Sequence, residues 1–359
     1  MNSEKSLVNN YFTNQDSKFI KGIAIVLMVM HHLFAFPDRI KNVSYVALLK
    51  INNVDIEFII AQYGKICVSV FLFLSGYGMY YILKNNKRPI NRLSKLLINY
   101  WTVFILFIPI GFLFFKVPFR VGELILNLLC IKSSYNGEWW FMSMYIVVVS
   151  VFIFLYKISF HLNNKKPLLY ALIGVFTSAF IIVFWNNHKI LKGIIMVICY
   201  EGAYIEGYLI AKYNLFNKLI DKIAKLNKSR FLIRISLIIV VTLSIIMVNL
   251  LYIYDLLILF VFMICTPIFI FNIINIKSKG IVYKAFIILG QHSTSIWLIH
   301  TFFCYYYFQK IIFLPKFSML IFAVLMILSL IVSICIDNLI VNKISQFLLN
   351  KNKKKYIMK

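Results

Sequence analysis

The sequence predicts an all-α fold, a polytopic membrane helix bundle of about ten transmembrane helices with both termini cytoplasmic. Three observations carry that expectation. Hydrophobic residues make up 62% of the 359 positions and charged residues only 14%, with a mean hydropathy of +0.85. A soluble chain of this size cannot cover its surface at that charge density. The apolar residues fall in stretches of about 18 or more, the length that spans a bilayer as a helix. The basic residues between those stretches alternate in density, 27 Lys and Arg in the segments that include both termini and 11 in the others. The positive-inside rule puts the richer set in the cytoplasm.

The expected spans are 19–36, 64–83, 96–115, 139–156, 168–185, 193–211, 231–251, 256–276, 285–308 and 317–341. The first follows 18 polar-rich residues and no small-residue cleavage site succeeds it, so it reads as a helix that is retained rather than a cleaved leader. The longest connections are 37–63, 116–138 and 212–230. In the second, Leu124 to Ile131 is apolar but too short to span, which predicts an interfacial or re-entrant piece. The third is basic and cytoplasmic and predicts a surface-lying amphipathic helix. Residues 1–345 read as a single integral membrane domain and 346–359 as a basic cytoplasmic tail.

The net charge of +26 belongs to these loops, so it is topological and a site for anionic headgroups, and no nucleic-acid partner is expected. The six cysteines form no C-x-x-C pair and most lie inside spans, so neither a disulfide framework nor a metal site is expected.

The most informative segment runs from Phe19 to Phe36. Lys21 and His32 are eleven residues apart in it. On a helix that offset closes to within about 20° of three full turns, so both side chains leave the same face, roughly 16 Å apart along the axis. A cation at a membrane boundary with an imidazole half a bilayer deeper on one line is costly, and such groups are usually functional. His31 points about 100° away from His32.

Five segments in order then resemble the acyltransferase 3 family of integral membrane acyltransferases, which O-acylate bacterial surface glycans. Lys21 to His32 is similar to the family's basic residue, ten spacers and histidine, with Lys where arginine is usual. Val70-Phe71-Leu72-Phe73-Leu74-Ser75-Gly76-Tyr77 resembles its phenylalanine-rich Ser-Gly helix. Arg92-Leu93-Ser94-Lys95 resembles its Arg-x-x-Arg, again with Lys for Arg. Glu138-Trp139-Trp140-Phe141-Met142 resembles its Trp-Phe-Leu segment, and Ile296-Trp297-Leu298-Ile299-His300 its Tyr-Leu-Ile-His.

The resemblance implies transfer of an acyl group, most simply acetyl, from cytoplasmic acyl-CoA to a hydroxyl of an extracytoplasmic polysaccharide or lipid-linked glycan in the cell membrane, with no bound cofactor. His32 is the expected catalytic group, as general base or acyl acceptor, because a sugar hydroxyl needs a base of near-neutral strength to take its proton. His31, His300 and Glu138 are expected in support. Lys21, Arg88, Arg92 and Lys95 are expected to hold the donor diphosphate. Trp139 and Trp140 are expected to stack on the acceptor sugar. Glu201 and Glu206, two carboxylates in one apolar span, are expected to pair with basic or imidazole groups. Ser75-Gly76 reads as a close helix contact, and Ser293 and Ser295 as hydrogen-bonding within the bundle. A transporter or flippase of a polysaccharide precursor, and a non-catalytic scaffold of a glycan-synthesis complex, are the rival readings.

The loop asymmetry makes one prediction. On a background lacking the native cysteines, Lys132→Cys should react with an impermeant thiol reagent in intact cells and Lys87→Cys should not. The reverse labelling pattern would invert the topology and the donor side with it.

Overall fold

The computed structural model describes residues 12–161, 189–224, 255–276 and 280–348, with a few further positions between 231 and 243. The expected span 168–185 and most of 231–251 lie outside the described residues. Among the described residues five helical stretches are long and apolar enough to cross a membrane: Asn14–Phe34, Ile56–Lys84, Ile90–Phe114, Gly137–Ile158 and Ser318–Leu348.

Helix α1 (Asn14–Phe34) starts five residues before the apolar run. Thr13 and Asp16 form a reciprocal cap, in which the Thr13 hydroxyl accepts from the Asp16 N–H and the Asp16 carboxylate accepts from the Thr13 N–H at 2.8 Å. That satisfies two of the helix's orphan donors. The connection after α1 is more ordered than a loop. A two-residue hairpin, β1 (Lys50–Ile51) and β2 (Val54–Asp55), leads into α2 (Ile56–Tyr63). A 3-10 turn over Gly64–Ile66 joins α2 to α3 (Cys67–Lys84), so the expected span at 64–83 begins earlier than its hydropathy suggests. Val46 bridges to Phe317, and the Glu57 carboxylate accepts from the Leu48 N–H (2.6 Å) and the Ser318 hydroxyl (2.5 Å). The connection after α1 is thereby tied to the segment that opens the helix at Ser318.

Helix α4 (Ile90–Phe114) is followed by the short α5 (Val121–Leu128), on the piece expected to be interfacial, and by α6 (Trp140–His161). Helix α7 (Lys189–Lys212) precedes α8 (Leu215–Ala224), which falls within the segment expected to be a surface helix. One side of α8 is seated by Phe216, which packs against Phe12, Phe73, Tyr77 and Phe271. Helix α9 is Asp255–Ile276.

The expected span 285–308 needs correction. It is three pieces: α10 (Ile281–Gln291), α11 (Ser293–Thr301) and a π turn over Phe302–Tyr306, with His292 between the first two outside helical geometry (φ −100°, ψ 7°). The break falls in Gly290-Gln291-His292-Ser293-Thr294-Ser295, a polar stretch within the apolar run. Beside it α10 packs closely on α1, since a Cβ on Gly290 would lie 1.7 Å from the Lys18 carbonyl oxygen. Broken helix at membrane depth is tolerated where it lines a cavity, and Gly290 to Thr294 do line one. After the short α12 (Gln309–Ile312), α13 (Ser318–Ile336) passes into a π turn over Asp337–Val341 and further helix to 348.

Gly76 brings α3 against α7. A Cβ there would fall 1.8 Å from the Tyr204 carbonyl oxygen, and one on Gly207 would fall 2.0 Å from that of Phe73. The small-residue contact expected at Ser75-Gly76 is therefore a backbone-to-backbone approach. Gly76→Val should cost more than the ~1–3 kcal/mol of ordinary overpacking, because the obstacle is main chain and cannot change rotamer. Melting of the detergent-solubilised protein, followed by size exclusion, should show a clear drop. Wild-type melting would mean that the helices are not this close.

Candidate active site

The single stripe that Lys21 and His32 define on α1 borders two cavities. The larger, about 740 Å³, is entered among cations: Lys18 and Lys21 from α1, Lys87 and Arg88 from the turn after α3, Arg92 and Lys95 from α4. All four residues expected to hold a diphosphate (Lys21, Arg88, Arg92 and Lys95) thus line one space. Arg92 is anchored as it does so, donating from Nη1 to the Ser75 carbonyl at 2.7 Å. The smaller cavity, about 240 Å³, is bordered by His31, His32, Arg39, Lys65, Glu138 and Trp140. Met28, Phe141 and Trp297 border both. Met28 stands seven residues after Lys21 and four before His32, on the same helical stripe.

His32 is buried and uses both ring nitrogens. Nδ1 lies 2.7 Å from Nε2 of His300, and Nε2 lies 3.0 Å from Oε2 of Glu138. The two imidazoles stack, 5.0 Å between centroids with 14° between planes. Proton placement follows from the partners. His300 Nδ1 faces two carbonyl oxygens, Ile296 at 3.0 Å and Trp297 at 2.9 Å, which can only accept, so it carries a proton. A neutral His300 then offers a lone pair at Nε2, and His32 donates to it from Nδ1. A proton must also lie between His32 Nε2 and Glu138. The other Glu138 oxygen accepts from Arg39, which favours the carboxylate form of Glu138. Arg39 is fixed in turn by the Phe36 ring, 4.1 Å from its guanidinium carbon, and by its carbonyl, which accepts from Gln309. Outside the spans, the Arg39 guanidinium is held above its ordinary value against the cost of burial, by its hydrogen bond to Glu138 and the charge behind it.

His31 turns aside, as its 100° offset requires, with Nδ1 2.8 Å from the Ala61 carbonyl of α2. The expected support residues His300 and Glu138 both touch His32, whereas His31 is bound to the scaffold.

The paired tryptophans separate. Trp140 borders the small cavity and stacks on Tyr200 at 6.0 Å. Trp139 does not face a cavity, which corrects its expected stacking role. It is 1% exposed, wedged among Tyr100, Phe104 and Phe302, and its Nε1 donates to the Leu298 carbonyl at 3.1 Å. Neighbouring helical positions differ by about 100°, and here one faces the core and the other the opening. Glu201 and Glu206 also depart from expectation. Both are buried, yet among the described residues both oxygens of Glu201 and Oε2 of Glu206 have no hydrogen-bond partner.

Residues beyond the sequence reading complete the picture. Arg39 closes the carboxylate pair. In the larger cavity His292 Nδ1 lies 2.5 Å from Asp337, whose other oxygen accepts from Ser295 at 2.5 Å, while Asn99 donates to the Ser295 hydroxyl at 2.8 Å. Asp337 had a signal in the sequence, an acid inside an apolar span. Arg39 had none, since it follows the end of its helix. The hydrogen-bonding role expected of Ser293 and Ser295 is present, Ser293 donating to the Gly290 carbonyl at 3.0 Å. Among the described residues no cluster of His, Cys, Asp and Glu could hold a metal ion.

A basic cavity reaching into an apolar bundle and ending near a paired imidazole and carboxylate defines a class of membrane protein that can bring an anionic reagent to a buried acid–base group. The chain belongs to the acyltransferase 3 family: the family model, described as an acyltransferase domain, matches residues 14–337. No curated protein and no solved structure matches the chain.

The two tryptophans make a prediction. Trp139→Ala should destabilise by about 3–5 kcal/mol, the usual cost of emptying a core aromatic site, whereas Trp140→Ala should cost much less. Thermal unfolding of the two variants in detergent checks this, and equal losses would place both in the core.

Proposed function

We propose that this protein is a multi-pass O-acyltransferase of the cell membrane, moving an acyl group, most simply acetyl, from cytoplasmic acyl-CoA to a hydroxyl of an extracytoplasmic polysaccharide or lipid-linked glycan. One observation carries the reading: the basic cavity and the His32 cavity lie along one stripe of α1 and meet at Met28, Phe141 and Trp297. A diphosphate held by Lys21, Arg88, Arg92 and Lys95 leaves the thioester arm to extend along that stripe toward His32. The acceptor hydroxyl enters from the other cavity, where Trp140 offers a ring face and Arg39 and Lys65 border the opening.

The His32–Glu138 pair is the acid–base unit. The reactive form of the pair is the one that has given up the proton between His32 Nε2 and Glu138: as the hydroxyl oxygen attacks the thioester carbonyl, its proton passes to that free Nε2, on the donor stripe. The C–O bond forms, the C–S bond breaks, and the pair returns the proton to the departing thiolate. His300 fixes the ring of His32 through Nδ1, and Arg39 keeps the Glu138 charge in place. No proton is gained or lost overall, and no bound cofactor is needed. Acyl transfer through His32 itself balances equally and differs only in a covalent intermediate.

Membranes supplied with labelled acetyl-CoA and the envelope glycan fraction of the same cells test the reading. His32→Ala should abolish labelling with insertion intact, since removing a general acid–base commonly costs 10² to 10⁴ in rate. His31→Ala should keep far more activity, because that ring serves the Ala61 carbonyl. Equal losses would remove His32 from its role. Arg92→Ala should raise the KM for acetyl-CoA roughly ten- to hundredfold, the worth of one charged hydrogen bond. An unchanged KM would take Arg92 out of the donor site.

A further inference from the structure

Trp297 occupies a place that the acyl-transfer reading leaves without a role. Its side chain is buried and borders both cavities. With Met28 and Phe141 it forms the apolar constriction between them, its indole packed edge to face on Phe141 at 5.4 Å and 79°. The same residue touches both partners of His32. Its indole Nε1 donates to the backbone carbonyl of Glu138 at 3.3 Å, and its own carbonyl accepts from His300 Nδ1 at 2.9 Å. The constriction and the two groups that hold the imidazole are thus one hydrogen-bonded assembly.

We propose that Trp297 is a positioning residue that closes the passage between the donor cavity and the His32 cavity and couples its opening to the His32–Glu138 pair. The inference rests on the acyltransferase reading. A thioester arm that reaches His32 must push past Met28, Phe141 and Trp297. Of these three, Trp297 has the side-chain N–H, which it donates to the Glu138 carbonyl. Displacing the indole releases the Glu138 carbonyl and lets the start of α6 shift, which loosens the carboxylate from His32 Nε2 when the acyl group arrives. With the passage empty, the indole keeps the carboxylate on the imidazole and shuts outer water away from a bound thioester.

The two functions come apart in two substitutions. Trp297→Phe keeps a ring in the constriction and removes the N–H. Phe141→Leu widens the constriction from the opposite side and leaves the Trp297 N–H in place. Protein in lipid nanodiscs is given acetyl-CoA, with and without the envelope glycan fraction, and thiol release is followed against pH. For Trp297→Phe, kcat should fall about three- to tenfold, the range of one neutral hydrogen bond. Its KM for acetyl-CoA should stay within about twofold, and the pH profile of kcat should move. For Phe141→Leu, thiol release without glycan should rise while the pH profile stays in place. A Trp297→Phe profile that coincides with wild type, or a change confined to KM, would overturn the coupling and leave the acyltransferase reading standing. Should Trp297→Phe fail to insert, a Phe141→Leu variant with no rise in glycan-independent release would overturn the closure by itself. Wild-type protein that releases no thiol with glycan present would overturn the underlying reading, and the inference with it.

Discussion

A buried charge in an apolar bundle must be answered by another, and here the Glu138 carboxylate answers two. One oxygen faces His32 and the other Arg39. Removing a member of such a set leaves an uncompensated charge, which is why buried pairs are expensive to break even when they add little net stability. The neighbouring features serve this arrangement. Asn136, fully buried, donates to the Thr301 hydroxyl and accepts from the Glu138 N–H, which fixes the entry to α6 beside α11. Trp139 and Trp297 cross-link the same two helices in opposite senses, each indole donating to a carbonyl of the other. The hairpin segment is anchored to the start of α13 and the Arg39 turn to Gln309.

The larger cavity follows another rule. Six cations border it, and Arg92 is tethered by the Ser75 carbonyl. Asp337, the one acid among its described lining residues, is hydrogen-bonded to His292 and Ser295, and one carboxylate against six cations leaves the field positive. A cavity of this sign raises the local concentration of an anionic reagent before any specific contact forms.

Much of the architecture was legible because hydropathy and helical period are local properties. Apart from the break at His292, the apolar runs are helical over most of the described residues, and Lys21 and His32 lie in phase on one face of α1. His300 was legible as a residue of interest but not as the partner of His32, since nothing local links positions 268 apart. Trp139 and Trp140 were indistinguishable in composition, and only packing separates them. The break at His292 had a local signal, the polar stretch from Gly290 to Ser295 within the expected span, whereas the approach of Gly290 to the Lys18 carbonyl depends on another helix and had none. Among the described residues nothing pairs with Glu201 or with Oε2 of Glu206, which runs against the rule that predicted pairing.

The contact between His32 and His300 has a consequence for how the molecule comes into being. The first helix enters the bilayer with an imidazole whose ring partner is 268 residues further along the chain. At typical rates of synthesis, about 5–20 residues per second, that partner emerges on the order of ten to fifty seconds later. Throughout that interval α1 carries ionisable groups into lipid without the neighbours that finally satisfy them. An early helix in that position is held by its cap and by the cost of withdrawing its apolar face, and the site closes only as the last segments insert. A chain that stops short of His300 therefore lacks the ring that holds His32 Nδ1.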